Sequence, residues 1–162
     1  MDAGSIAFMI ICAGLVFLMT PGLAFFYGGL GRRKNVINTM MMCAIPIAVG
    51  SVMWMIFGYS LSFGGSGSLI GNFSHLFFNG VSDSASTRGL AIPDALFAAF
   101  QMMFPVITVA ILTGAAAGRM RFTPLVIFVV LWLLVVYFPF AHMVWDEGLL
   151  AQWGTIDFAG GD

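Results

Sequence analysis

Two groups of side chains in this sequence have the types and spacing to do chemistry. In "FAHMVWDEGLLAQWGTID" the indole of Trp145 stands beside Asp146 and Glu147, with Asp157 further along. An aromatic face attracts a cation by about 0.5–1 kcal/mol when exposed and about 2 kcal/mol or more when desolvated. Neighbouring acids favour cations over anions. Trp145 equally suits the aromatic belt of a membrane interface. Asp157 has two readings that spacing does not separate: N-cap of a following helix, or electrostatic support for a cation site. The second group is "DALFAAFQMMFPVITV", where Phe97, Phe100 and Phe104 recur at i, i+3 and i+7. That spacing puts the rings on one helical face. They could pack helices, meet lipid, or close the mouth of a pore. Gln101 is polar within the same apolar turn, and polar residues in membrane spans face protein or water.

Other chemistry finds little support. No nucleotide loop, metal cluster or serine–histidine–acid spacing occurs, so neither enzyme nor cofactor is expected. His75 falls in a polar loop and His142 follows the last apolar run; both read as surface histidines. Cys12 and Cys43 read as ordinary buried thiols. Met40, Met41 and Met42 read as core or lipid-facing filler. The net charge of −1 provides no basic field for nucleic acid.

The elements that must position these residues are membrane helices. The 162 residues are 60% hydrophobic and 8% charged, against about 25% charged in soluble domains. Four runs reach the roughly 20 residues that cross a bilayer: near 6–27, 36–63, 93–118 and 122–140. The first lacks the basic start and cleavage site of a signal peptide. The fold class is therefore all-α and polytopic, one partial domain over 1–162 with an outer tail at 141–162. Of the six cations, Arg32, Arg33, Lys34, Arg119 and Arg121 sit in two short connections. The positive-inside rule puts both in the cytoplasm, with the N-terminus, the 64–92 loop and the tail outside. That loop reads as irregular surface structure. Pro93 and Asp94 suit a helix's first turn, and Thr123-Pro124 reads as cap and first position of the fourth span. Pro21 and Pro46 predict kinks. Gly114-Ala-Ala-Ala-Gly118 permits close helix approach.

Three segments, "TPGLAFFYGGLGRRKN", "AAFQMMFPVITVAILTGAAAGRMRF" and "FAHMVWDEGLLAQWGTIDFAGG", closely resemble the ammonium transporter family, in the Amt branch of the Amt/Rh group. The resemblance implies a cell-membrane homotrimer with one pore per subunit, built on an eleven-helix inverted repeat of which this chain matches the first four spans. Phe100 and Phe104 match the family's stacked gate phenylalanines, Gln101 the glutamine beside them, and Trp145 the tryptophan of the outer recruitment site. Asp157 matches the aspartate behind that site, where a fifth helix is expected to start. Phe26 and Tyr27 match residues near the inner pore. The implied function is ammonium recruitment, deprotonation and passage of ammonia, complete only with further helices that carry the paired pore histidines. The alternative is a non-conducting interaction or assembly module on the same scaffold. Implied partners are ammonium and ammonia, the lipid bilayer and a PII-type cytoplasmic regulator.

Overall fold

The computed structural model describes residues 2–158. Among them the regular structure is entirely helical, and four helical runs are long and apolar enough to cross a membrane. The chain divides into two compact units, Met1–Ser51 with Ser82–Val130, and Val52–Val81 with Leu131–Asp162.

The first unit opens with α1, Ala3–Leu30. Asp2 caps it, its carboxylate accepting from the Ser5 backbone N–H at 2.8 Å and the Ser5 hydroxyl at 2.9 Å. α1 is apolar all round and buries only Thr20, Ala24 and Gly28. Those positions, four apart and small, form one narrow stripe. The rest of the helix, including Phe8, Leu15 and Phe25, is exposed as a lipid-facing helix would be.

α2 (Val36–Met53) and α4 (Asp94–Ala116) complete most of this unit; α3 belongs to the second. α1 packs on α4. The Cys43 thiol and Thr113 hydroxyl meet at 3.2 Å, joining α2 to α4 through polar groups with no access to solvent. The three methionines diverge as helical geometry requires: Met42 is 1% exposed and Met41 is 53% exposed.

Asp94 is 2% exposed. Its carboxylate accepts from the Thr87 N–H at 2.9 Å, the Thr87 hydroxyl at 2.7 Å and the Ser86 hydroxyl at 3.3 Å. It therefore anchors a loop as well as complementing the helix dipole. α4 ends at Ala116, two residues before Gly118, which has φ 73° and nothing within 4 Å of a built Cβ. The run 114–118 is thus helix followed by a left-handed turn, not one continuous packing stripe. α5 (Phe122–Trp132) starts with Phe122, so Thr123 and Pro124 lie inside its first turn and Thr123 is not the cap. Pro124 is tolerated there because the first-turn N–H groups have no helical partner.

In the second unit a π turn, Trp54–Gly58, leads into α3, Tyr59–Phe63, all of whose residues are buried. Another π turn, Leu133–Tyr137, leads into α6, Phe138–Trp145. α3 packs on α6. Gly58 lies under Phe138, where a Cβ would come within 2.7 Å of the ring. The fourth helical run thus continues through His142 to Trp145 rather than stopping at Phe140. α7, Leu149–Gln152, follows a short break.

The segment after α3 is not loose surface chain. Gly71 N–H donates to Leu61 O at 2.8 Å and Asn72 N–H to Gly64 O at 2.7 Å. The buried Ser60 hydroxyl donates to Asn72 O at 2.7 Å and accepts from His75 N–H at 2.9 Å. Glycine and serine there permit tight folding back over a helix end.

Candidate functional site

The second unit builds an aromatic corner at the end of α6. Trp145 is half-buried, and its indole Nε1–H donates to the Asp157 carboxylate at 2.8 Å. A charge-assisted bond of this kind is roughly twice as strong as a neutral one, so it fixes the ring edge. The ring of Phe63 lies parallel to the indole, 3° between planes and 6.4 Å between centroids. Asp157 thus touches Trp145 directly; of the helix it could alternatively cap, beginning at Phe158, only Phe158 is among the described residues, and it is not helical there. Asp146 is half-buried, its carboxylate 3.7 Å from His142 Nδ1. Glu147 is exposed, in a backbone turn with φ 59°.

The first unit holds the other ring group. Phe100 and Phe104 are half-buried neighbours with centroids 5.1 Å apart and planes at 75°. They meet edge to face, the arrangement their quadrupoles prefer, rather than stacking face to face. Phe97 is engaged elsewhere: the Arg88 guanidinium carbon lies 5.4 Å from its ring centroid. Gln101 Oε1 is buried and accepts no hydrogen bond among the described residues. Pro105, within α4, also removes the N–H that would close the helical turn onto the Gln101 carbonyl. The side-chain oxygen of this residue thus lacks a partner among the described residues, close to the two rings in sequence. Pro105 was absent from the kink expectation, although the string "QMMFP" carries the signal.

Phe26 and Tyr27 are adjacent, with centroids 5.7 Å apart. Phe26 is 60% exposed on α1. Tyr27 reaches across to α4, its hydroxyl donating to Ile111 O at 3.2 Å. The ring lies over Gly114, where any Cβ would clash with it. Tyr27 also lines a groove of about 650 Å³ with Arg32, Asn35, Thr39 and Arg119.

His142 departs most from the sequence expectation. It is 0% exposed, inside α6, with Nε2 2.7 Å from Gly67 O and Nδ1 3.1 Å from Ser62 O. Neither His142 nor Phe63 was expected at the site. The i, i+3 spacing of His142 and Trp145 was visible, but the segment it binds lies about eighty residues away in sequence, as 142 − 62 gives.

All-helical architecture, lipid-exposed apolar faces and four spans define a multi-pass membrane protein. The family profile described as Ammonium Transporter Family matches residues 7–162, and the chain belongs to that family. It is 47% identical over 162 residues to an ammonium transporter of Bacillus subtilis, covering 100% of this chain and 40% of that protein. It is 45% identical to a putative ammonium transporter of Methanothermobacter thermautotrophicus, covering 99% of this chain and 40% of that protein. The crystal structure of Candida albicans Mep2 superposes with a TM-score of 0.87 at 31% identity, over 98% of this chain and 35% of that one. The chain thus spans about 40% of the length of these curated relatives.

Proposed function

We propose that this chain is the N-terminal part of an ammonium transporter that recruits ammonium at Trp145, removes its proton and passes ammonia through an apolar pore. The observation that carries the reading is the Trp145–Asp157 hydrogen bond at 2.8 Å, in a chain that belongs to the ammonium transporter family. The bond places a carboxylate at the indole's edge while Phe63 backs its plane. That corner suits a small cation, since the ring face attracts it and the acid adds negative potential.

Transfer of a bare cation into apolar surroundings is costly, whereas its neutral base crosses at little cost. A proton must therefore leave between recruitment and passage. In this reading Phe100 and Phe104 form the gate, Gln101 offers acceptor oxygen beside it, and Tyr27 with Phe26 stands at the inner part of the pore. The proton and ammonia travel separately. The remaining helices come from outside the 162 residues, and the assembly is a homotrimer in the cell membrane. The basic connections face the cytoplasm, where a PII-type regulator has access to them.

Methylammonium uptake tests the reading. Cells making the chain together with the missing helices are expected to accumulate methylammonium, and Trp145→Leu to raise the half-saturating concentration. If correctly inserted, assembled protein restores no uptake, the non-conducting assembly module becomes the better description.

A further inference from the structure

We propose that His142 is the positioning residue for Trp145 and that it acts as a doubly protonated imidazolium. The part about Trp145 rests on the outer-site reading above; the charge on the ring does not.

The case begins with the partners of the two ring nitrogens. Nε2 lies 2.7 Å from Gly67 O and Nδ1 lies 3.1 Å from Ser62 O. Both are backbone carbonyls, which only accept hydrogen bonds. A neutral imidazole has one N–H and one lone pair, so it would satisfy one carbonyl and turn a lone pair on the other. Only the imidazolium donates to both. The ring is 0% exposed, and burial of a bare cation is unfavourable unless it is paired and hydrogen-bonded. The pairing is present: Asp146 Oδ2 lies 3.7 Å from Nδ1, one helical turn onward.

The other packed elements supply no competing charge among the described residues. α3 contributes Tyr59 and the π turn before α6 contributes Tyr137 as their only titratable groups, both uncharged phenols. Residues 64–74 contain none. His75 beyond them is turned to Asn79 O at 2.9 Å and to the Tyr59 ring, with centroids 5.9 Å apart. α7 carries none, and Glu147 is exposed.

The consequence falls on the indole. Ser62, whose carbonyl takes the Nδ1–H, immediately precedes Phe63, the ring parallel to Trp145. The Nε2–H holds the segment after α3 through Gly67. His142 and Trp145 share the last turn of α6. The imidazolium therefore ties the helix that carries Trp145 to the helix end that carries its backing ring. Asp157 fixes the indole's N–H edge. Loss of one proton from His142 releases one of the two ties and turns the site pH-sensitive at a residue that need not touch the cation.

The test uses the whole chain in lipid nanodiscs with ¹⁵N-labelled histidine. At pH 6 both ring nitrogens of His142 are expected to show protonated-type resonances, identified by their loss in His142→Gln. If that variant fails to fold, the resonances are identified by their response to Asp146→Asn, which removes the counter-charge. One pyridine-type nitrogen at pH 6 overturns the imidazolium. The positioning role is read at the Trp145 indole N–H. In the wild type this signal is expected to broaden as His142 loses its proton, and in His142→Gln to be broad at every pH. An indole signal identical in the two proteins at all pH values overturns the positioning role. Methylammonium is then titrated, with binding expected to weaken roughly ten-fold on deprotonation, the scale of one lost hydrogen bond to a charged group. If the wild-type indole ignores methylammonium while His142 carries both protons, the outer-site reading fails and the charge assignment stands.

Discussion

At Trp145 the π face and the N–H edge of one side chain have separate partners, Phe63 and Asp157. Substitution can take these apart. Trp145→Leu removes the face and the edge, and is expected to weaken methylammonium recruitment about 2- to 30-fold, corresponding to roughly 0.5–2 kcal/mol of cation–π attraction. Trp145→Phe keeps a face but leaves the Asp157 carboxylate without the indole donor. It is expected to retain part of the affinity while increasing exchange at the backbone around residue 157. Half-saturation in the uptake assay measures the first effect, and amide hydrogen exchange the second. Equal affinities for wild type and Trp145→Leu would remove the indole from the cation site.

α1 and α4 approach each other at a small residue. Tyr27 of α1 lies over Gly114 of α4, so Gly114→Ala is expected to destabilise by roughly 1–3 kcal/mol through overpacking. In a Tyr27→Ala background the same change should be neutral or stabilising, because alanine is the better helix former. A double-mutant cycle on thermal unfolding in detergent measures that coupling. At the start of α1 the Asp2 carboxyl is held below its usual value, chiefly by the Ser5 backbone N–H and then its hydroxyl. A depressed acid stabilises the fold above its unfolded value, about 3.9 for aspartate, and that contribution disappears as pH falls through the folded value. Amide exchange in the first turn of α1 is therefore expected to accelerate on acidification below about pH 4 in the wild type. In Asp2→Asn, which keeps a capping oxygen, it should not. The spans were legible because a lipid solvent imposes one long apolar run per helix. The adjacency of Phe100 and Phe104 was legible because i, i+4 spacing fixes it locally. The surroundings of His142, Asp94 and Phe63 were not. Their partners are set by loops folding back, and a polar tail string such as "HMVWDE" looks the same whether its histidine faces water or a carbonyl. The π turns before α3 and α6 likewise have no periodic signal of their own.

Over the whole molecule, charge and greasiness are sorted. Arg32, Arg33, Lys34, Arg119 and Arg121 flank helix ends, and α1 and α5 present Phe8, Leu15, Ile127 and Leu131 outward. Charges at helix ends are what fix orientation, since carrying a short basic loop across the bilayer is opposed while carrying Ser- and Gly-rich chain is not. The proposed orientation makes Lys34 cytoplasmic and Ser84 external. Native thiols complicate a labelling test only mildly: Cys43 is 0% exposed and shares a hydrogen bond with Thr113, so Cys43→Ser preserves a polar partner there, and Cys12→Ala removes the other thiol. In that background Ser84→Cys is expected to react in intact cells with a membrane-impermeant maleimide. Lys34→Cys should react only after the membrane is opened. Substituting Lys34 leaves Arg32 and Arg33 in place, so the topology signal at that connection survives the probe. The reverse pattern would put Trp145 on the cytoplasmic side, because the fourth span separates it from Arg121, and the indole could then no longer recruit ammonium from outside the cell.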